Sequence, residues 1–126
     1  MTVRELVGGE AIWIGPSSTM RDAARTLSAN EVGALAVVRE GQLIGILSER
    51  DIIRACAQGT DLDDTGTDEW MTREPDSLAP DMTVAAAAGW MLAAGYRHLP
   101  VVDGADLIGM VSIKDILWAL TEPSAV

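Results

Sequence analysis

His98 is the only imidazole in this chain, so a catalytic dyad or a metal site built from several histidines is excluded by count. Cysteine is as scarce: Cys56 stands alone and can close no disulfide within the chain. It falls in the helical-looking stretch IIRACA, where a cysteine is ordinarily a small buried residue rather than a reactive thiol, and no role is assigned to it. Positive charge is short, with 9 Lys and Arg against 19 Asp and Glu and a formal net charge of -10. Non-specific affinity for nucleic acid rests on Lys and Arg neutralising phosphates, so no nucleic-acid partner is expected, and the same balance works against anionic membrane surfaces. Long apolar runs are missing as well. The longest, VAAAAGWMLAAG, falls short of the roughly 20 residues a membrane span needs, and MTVRELVGGE has no apolar signal core or cleavage site. The expectation is a soluble, cytoplasmic protein without a membrane partner.

What the chain does have is a sentence written twice. GILSERD at residues 45–51 and GMVSIKD at 109–115 share Gly, two apolar residues, Ser, any residue, a base and Asp, at an offset of 64. The match extends upstream without a gap: Pro16 falls on Pro80, Thr19 on Thr83, Ala23-Ala24 on Ala87-Ala88, Leu35 on Leu99, Val37-Val38 on Val101-Val102, and Leu43-Ile44-Gly45 on Leu107-Ile108-Gly109. Two copies are too few for a solenoid, which wants at least about three repeats, so two subdomains are expected. With 48% apolar residues in 13.3 kDa, the pair can fill a core.

Each copy reads in the same order. Met20, Ala23, Ala24 and Leu27 recur at helical spacing and predict a helix opening near Ser18 or Thr19. ALAVVR and LIGILS, joined at Glu40-Gly41-Gln42, predict a buried hairpin. ERDIIRACAQ then reads as a helix ended by Gly59. In the second copy a helix runs from about Thr83 to Ala94 with Gly95 after it. Strand LPVVD, a turn at Gly104, strand LIGMVS and helix IKDILWAL follow, with Pro123 beyond. Extended pieces around AIWIG and DSLA precede the opening helices, so the unit is strand, helix, strand, strand, helix. The first repeat spans 1–60 and the second 73–126. Residues 61–72 form an acidic linker within GTDLDDTGTDEWMT, whose five carboxylates between Asp61 and Glu69 are expected to be a solvated connector. They lack the spacing of a calcium loop, and no metal residues are expected.

Ser-x-x-Asp at a helix start is close to a capping box, and capping alone would account for Ser48 with Asp51 and Ser112 with Asp115. It leaves the Gly before each pair unexplained, since a strand Gly often marks close approach of another backbone or of a ligand. A helix N-terminus also offers unpaired N–H groups to phosphate. An Asp beside it can accept two hydroxyl hydrogens, so ribose plus phosphate fits the pattern.

VGALAVVREGQLIGILSERDIIRACA and YRHLPVVDGADLIGMVSIKDILWAL together resemble two cystathionine beta-synthase (CBS) domains in tandem, a Bateman module, over roughly residues 9 to 121. The resemblance implies an α/β (α+β) fold of two β-α-β-β-α units packed through their sheets with pseudo-two-fold symmetry. It further implies adenosine-containing ligands such as AMP, ADP, ATP or S-adenosylmethionine in the clefts between them. By motif, Asp51 and Asp115 would accept from the ribose hydroxyls, with Ser48 and Ser112 near sugar or phosphate. Arg50 and Lys114 would meet phosphate, joined in the second copy by Arg97 and His98. Adenine would lie against Ala34, Leu35 and Ala36 with Ile14 in one site, and against His98, Leu99 and Pro100 with Leu78 in the other. The first copy has neither a base nor the proline in its middle strand, so it is expected to be the weaker site.

Three function classes follow. The first is a regulatory module sensing adenine nucleotide, with or without Mg2+, and passing occupancy to a protein partner of unknown identity or to its own assembly. The alternative is an interaction or dimerisation module with degenerate, empty pockets. An enzyme would need a nucleophile, base and metal cluster, and no such set is found, so no catalytic residues and no catalytic cofactor are expected. No residues are left over for a catalytic or membrane domain, so the module is expected to stand alone. Trp90 and Trp118 on helices read as core or interface residues. The small-residue run Ala85 to Gly89 permits close helix approach, and a homodimer through the helices is expected.

Overall fold

The computed structural model describes residues 1–121; Pro123, expected beyond the last helix, lies outside the described residues. Two compact units are present. One comprises Ile12–Pro75; the other joins Met1–Ala11 to the chain from Asp76 onward.

In the first-repeat unit, β1 (Trp13–Ile14) is followed by α1 (Met20–Asn30), β2 (Ala34–Arg39), β3 (Gln42–Ser48), α2 (Glu49–Ala57) and β4 (Thr72–Arg73). Thr19 caps α1 by accepting from the Asp22 amide at 3.1 Å. Glu31 ends the helix in the left-handed conformation, φ 53°. The sheet order is β1-β2-β3-β4, with β1 parallel to β2 and the other pairs antiparallel. Its core gathers Ile14, Met20, Ala23, Leu27, Leu35, Val37, Leu47, Ala55 and Met71. On α2 it is Ala55 that faces this core, and Cys56 is exposed, which corrects the expectation of a buried thiol.

The second-repeat unit has α3 (Val84–Ala94), β5 (His98–Asp103), β6 (Asp106–Ser112) and α4 (Ile113–Thr121). Thr83 caps α3, and Gly95, at φ 76°, ends it where the first repeat uses Glu31. β5 and β6 form an antiparallel pair with the same ladder slip as β2 and β3: it falls between Val101 and Val102, as between Val37 and Val38. The extended piece expected at DSLA is a single parallel bridge, Leu78 to Val101, rather than a strand. Leu78 donates to the Pro100 carbonyl at 2.8 Å and accepts from Val102 at 3.0 Å.

The compact units do not follow the sequence repeats, because a short 3-10 turn ahead of each copy's opening helix packs on the other copy. Residues Val3–Leu6 make this turn in the second-repeat unit: Val3 donates to Met82, Arg4 to Pro80, and the Val84 amide to Met1. Shifted by 64, the bonds recur in the first-repeat unit. Thr67 donates to Ser18, Asp68 to Pro16, and the Met20 amide to Thr65. The acidic stretch is therefore more than a solvated connector. Thr67 is fully buried, its hydroxyl donating to the Gly15 carbonyl at 2.7 Å, and Asp63 pairs with Arg21.

Candidate ligand-binding sites

The glycine of each motif is explained by this exchange. A Cβ on Gly45 would stand 2.5 Å from Met71 Sδ and 2.9 Å from the Thr72 carbonyl oxygen; one on Gly109 would strike Val7 Cγ1. Of the two expectations for these strand glycines, close approach by chain is the one observed. Residues 7 and 71 are themselves related by the offset of 64.

The serine and aspartate do cap. Ser48 N donates to Asp51 Oδ2 at 2.8 Å while Ser48 Oγ accepts from Asp51 N at 3.3 Å; in the second copy the distances are 2.9 Å and 3.1 Å. This reciprocal pair uses Oδ2 of each Asp. The copies differ in one hydrogen bond: Ser48 Oγ also donates to Asp51 Oδ2, at 3.1 Å, and no such hydroxyl-to-carboxylate bond joins Ser112 to Asp115.

Register brings the remaining polar candidates to the same place. Ala34 is the ladder partner of Ser48, and His98 that of Ser112. The turn into each helix is fastened to the residue before: Glu49 N donates to Gly33 at 2.9 Å and Ile113 N to Arg97 at 2.8 Å. Arg97, His98, Ser112, Lys114 and Asp115 thus collect at the N-terminus of α4. Ala34, Ser48, Arg50 and Asp51 collect at that of α2, with Arg50 as the cationic side chain. Arg97, Lys114 and Asp115 are exposed, whereas Asp51 is partly buried.

The apolar candidates are placed differently. Ile14 and Leu35 belong to one core and Leu78 and Leu99 to the other, so their side chains are committed to packing. Strand alternation puts Ala34 and Ala36 on the opposite face of β2 from Leu35, and Pro100 opposite Leu99 on β5. Ile14 and Leu78 pair with Val37 and Val101, three strand positions from Ala34 and His98, or about 10 Å. Ile14 and Leu78 therefore lie apart from the polar residues at the helix starts. Sequence reasoning passed over Gly33, whose carbonyl holds the first helix start; its place as the repeat partner of Arg97 was the available signal.

Among the described residues, no group of three or more His, Cys, Asp or Glu is placed to hold a metal ion, and no helix is long and apolar enough to cross a membrane.

The CBS domain family model matches residues 3–58 and again 68–122. The CBS domain-containing protein YhcV of Bacillus subtilis is 34% identical over 116 residues, 91% of this chain and 82% of that protein. The CBS domain protein PAE2072 from Pyrobaculum aerophilum, solved complexed with AMP, has a TM-score of 0.88 at 28% identity, covering 99% of this chain and 95% of that one. The CBS domain pair of protein MJ0100, in complex with 5'-methylthioadenosine and S-adenosyl-L-methionine, has a TM-score of 0.87 at 27% identity, with 95% of each chain covered. The fold and its doubled motif define a tandem CBS pair. The chain belongs to the CBS domain family, a class of ligand-binding regulatory modules.

Proposed function

We propose that this protein is a cytoplasmic sensor of adenosine-containing ligands, and that AMP or ADP is its preferred occupant. The supporting observation is the gathering of Arg97, His98, Ser112, Lys114 and Asp115 around the start of α4. Asp115 accepts from the ribose hydroxyls, the Ser112 hydroxyl serves sugar or phosphate, and Arg97, His98 and Lys114 face the phosphate. Asp51, Ser48 and Arg50 repeat the arrangement in the first-repeat unit with fewer cations. Adenine lies along the middle strands against their backbone groups, since Ala34, Ala36 and Pro100 are themselves buried. A field of -10 charges disfavours a triphosphate more than a monophosphate, and Mg2+ would accompany the longer phosphate chains. The pocket residues comprise hydroxyls, carboxylates and cations without a base-activated nucleophile, so the role is regulatory and no turnover of nucleotide is expected.

Calorimetry and thermal melting with AMP, ADP, ATP, S-adenosylmethionine and cyclic dinucleotides test this reading. A ligand at about 100 times its dissociation constant should stabilise the fold by about 2.7 kcal/mol. No heat and no shift with any of them would instead support an interaction module with empty pockets.

The helices favour self-association in either case. On α1 the outward positions are Arg21, Asp22, Arg25 and Ser28; at the same places α3 has Ala85, Ala86, Gly89 and Leu92, all exposed. Leu117, Trp118 and Leu120 are exposed on α4. A homodimer that covers this uncharged face is the assembly we propose, with occupancy signalled to it or to a protein partner.

A further inference from the structure

Val7 and Met71 cross their respective strands at equivalent glycines, and beyond them the two copies part. Thr72–Arg73 continues as β4, paired with Ile46 and Gly45, and the Glu74 amide donates to the Ile44 carbonyl at 3.3 Å. The corresponding residues are Gly8, Gly9 and Glu10. All three are exposed and make no backbone bond to β6, whose only strand partner among the described residues is β5. A Cβ at Gly8 or Gly9 would meet nothing within 4 Å.

We infer that residues 8–10 form a strap with two states: detached, as here, and zipped onto the outer edge of β6 in the register that β4 uses on β3. Gly9 then lies beside Gly109, Gly8 beside Met110, and the Glu10 amide donates to the Ile108 carbonyl. An open strand edge is a template for pairing, and the chain already threading past Gly109 is in position to fill it. The glycines hold it open. Each loses more backbone freedom on pairing than alanine does, a handicap of roughly two- to fivefold per residue. The strap ends where the first-repeat unit begins at Ile12, and β6 runs directly into Ser112. Its closing would therefore stiffen both the strand that carries the second motif and one of the two connections between the units.

Amide hydrogen exchange on the full chain, read at Glu10 and Glu74, tests the strap. In the wild type, Glu10 should exchange at least about tenfold faster than Glu74. Gly8→Thr with Gly9→Arg, which writes the β4 sequence into the strap, should slow Glu10 by about tenfold and leave Glu74 unchanged. The milder Gly8→Ala with Gly9→Ala should move Glu10 the same way by a smaller factor, should the first variant fail to fold. Protection of wild-type Glu10 equal to that of Glu74 would overturn the two-state strap. So would a folded graft in which Glu10 exchanges as fast as before.

Discussion

His98 and Ser112 are ladder partners across β5 and β6, and the Arg97 carbonyl holds the Ile113 amide one step further on. The first copy has Ala34 and Gly33 at these places, so the two helix starts share a cap and differ in the charge beside it.

That difference predicts which site fills first. Charge-assisted hydrogen bonds to phosphate are roughly twice as strong as neutral ones, so Asp115→Ala should remove most of the melting shift at low AMP, and Asp51→Ala should leave most of it. Truncating the acceptor strands ribose hydroxyls at a cost of about 1–3 kcal/mol. Both aspartates also cap, and losing that contact costs about 1 kcal/mol, so each shift must be read against the variant's own unliganded melt. A larger loss with Asp51→Ala would assign the stronger site to the first repeat.

Gly109→Ala and Gly45→Ala should both destabilise, by about 1–3 kcal/mol, the usual cost of overpacking. Only the first should be rescued by trimming its neighbour. Val7→Ala removes the two methyls nearest the new Cβ at residue 109 and leaves only its own Cβ, at 3.2 Å, whereas Met71→Ala leaves the Thr72 carbonyl oxygen at 2.9 Å from the new Cβ at residue 45. Double-mutant cycles in urea should give favourable coupling for the Val7 pair and little for the Met71 pair; equal coupling would contradict the geometry.

Thr67→Val keeps the shape of a fully buried side chain and removes the donor to Gly15. The Gly15 carbonyl then keeps only its longer bond from the Ser18 amide, at 3.3 Å, and losing the hydroxyl should cost about 0.5–1.5 kcal/mol, visible as a lower urea midpoint at unchanged slope. A neutral result would mean that the Ser18 amide alone satisfies Gly15.

The Tyr96 hydroxyl donates to Asp76, and this bond is the main reason its pKa is raised above 10.0, ahead of desolvation and the carboxylate's charge. A folded value above the unfolded one makes the contribution present below pH 10 and lost as pH rises through the folded value. Absorbance titration should show phenolate forming later than in Asp76→Asn, and wild type should lose stability in that alkaline range more steeply than Tyr96→Phe. Coincident titrations of wild type and Asp76→Asn would refute the bond.

Sedimentation at micromolar concentration should show about 27 kDa, twice the 13.3 kDa of the chain. Leu92→Glu with Trp118→Glu, both at exposed positions, should return it to the monomer without lowering helix content. A wild-type monomer would remove the dimer from the proposal.

The repeat made most of this fold legible before any coordinates, because periodicity and caps are local. Met20, Ala23 and Leu27 marked the buried face of α1, Thr19 and Thr83 the helix starts, and Ser48 and Ser112 the motif caps. The 3-10 turns at Val3 and Thr67 escaped notice, since they lie in a stretch that reads as a tail and in another that reads as a charged connector. Their partners, Met82 and Ser18, are distant in the chain. The apolar candidates were only half legible for a related reason: alternation says that Leu35 and Ala36 face opposite ways, but not that both faces are buried. Cys56 turned out one residue from the buried position, a distinction that the run of small residues Ala55, Cys56 and Ala57 does not encode.

The reciprocal placement of Val3–Leu6 and Thr67–Glu69 bears on how such a chain can be divided. A cut between the repeats near Asp64 would leave each half holding the turn that plugs the other's core and missing the one that plugs its own, with Val3 and Thr67 displaced from their fully buried seats. Neither half should then be a sound folding unit alone. Mixed, the two should reconstitute, each donating its opening turn. An isolated repeat would have to find the same plug in a second molecule, so the doubled chain makes within itself an exchange that a single copy could make only between molecules.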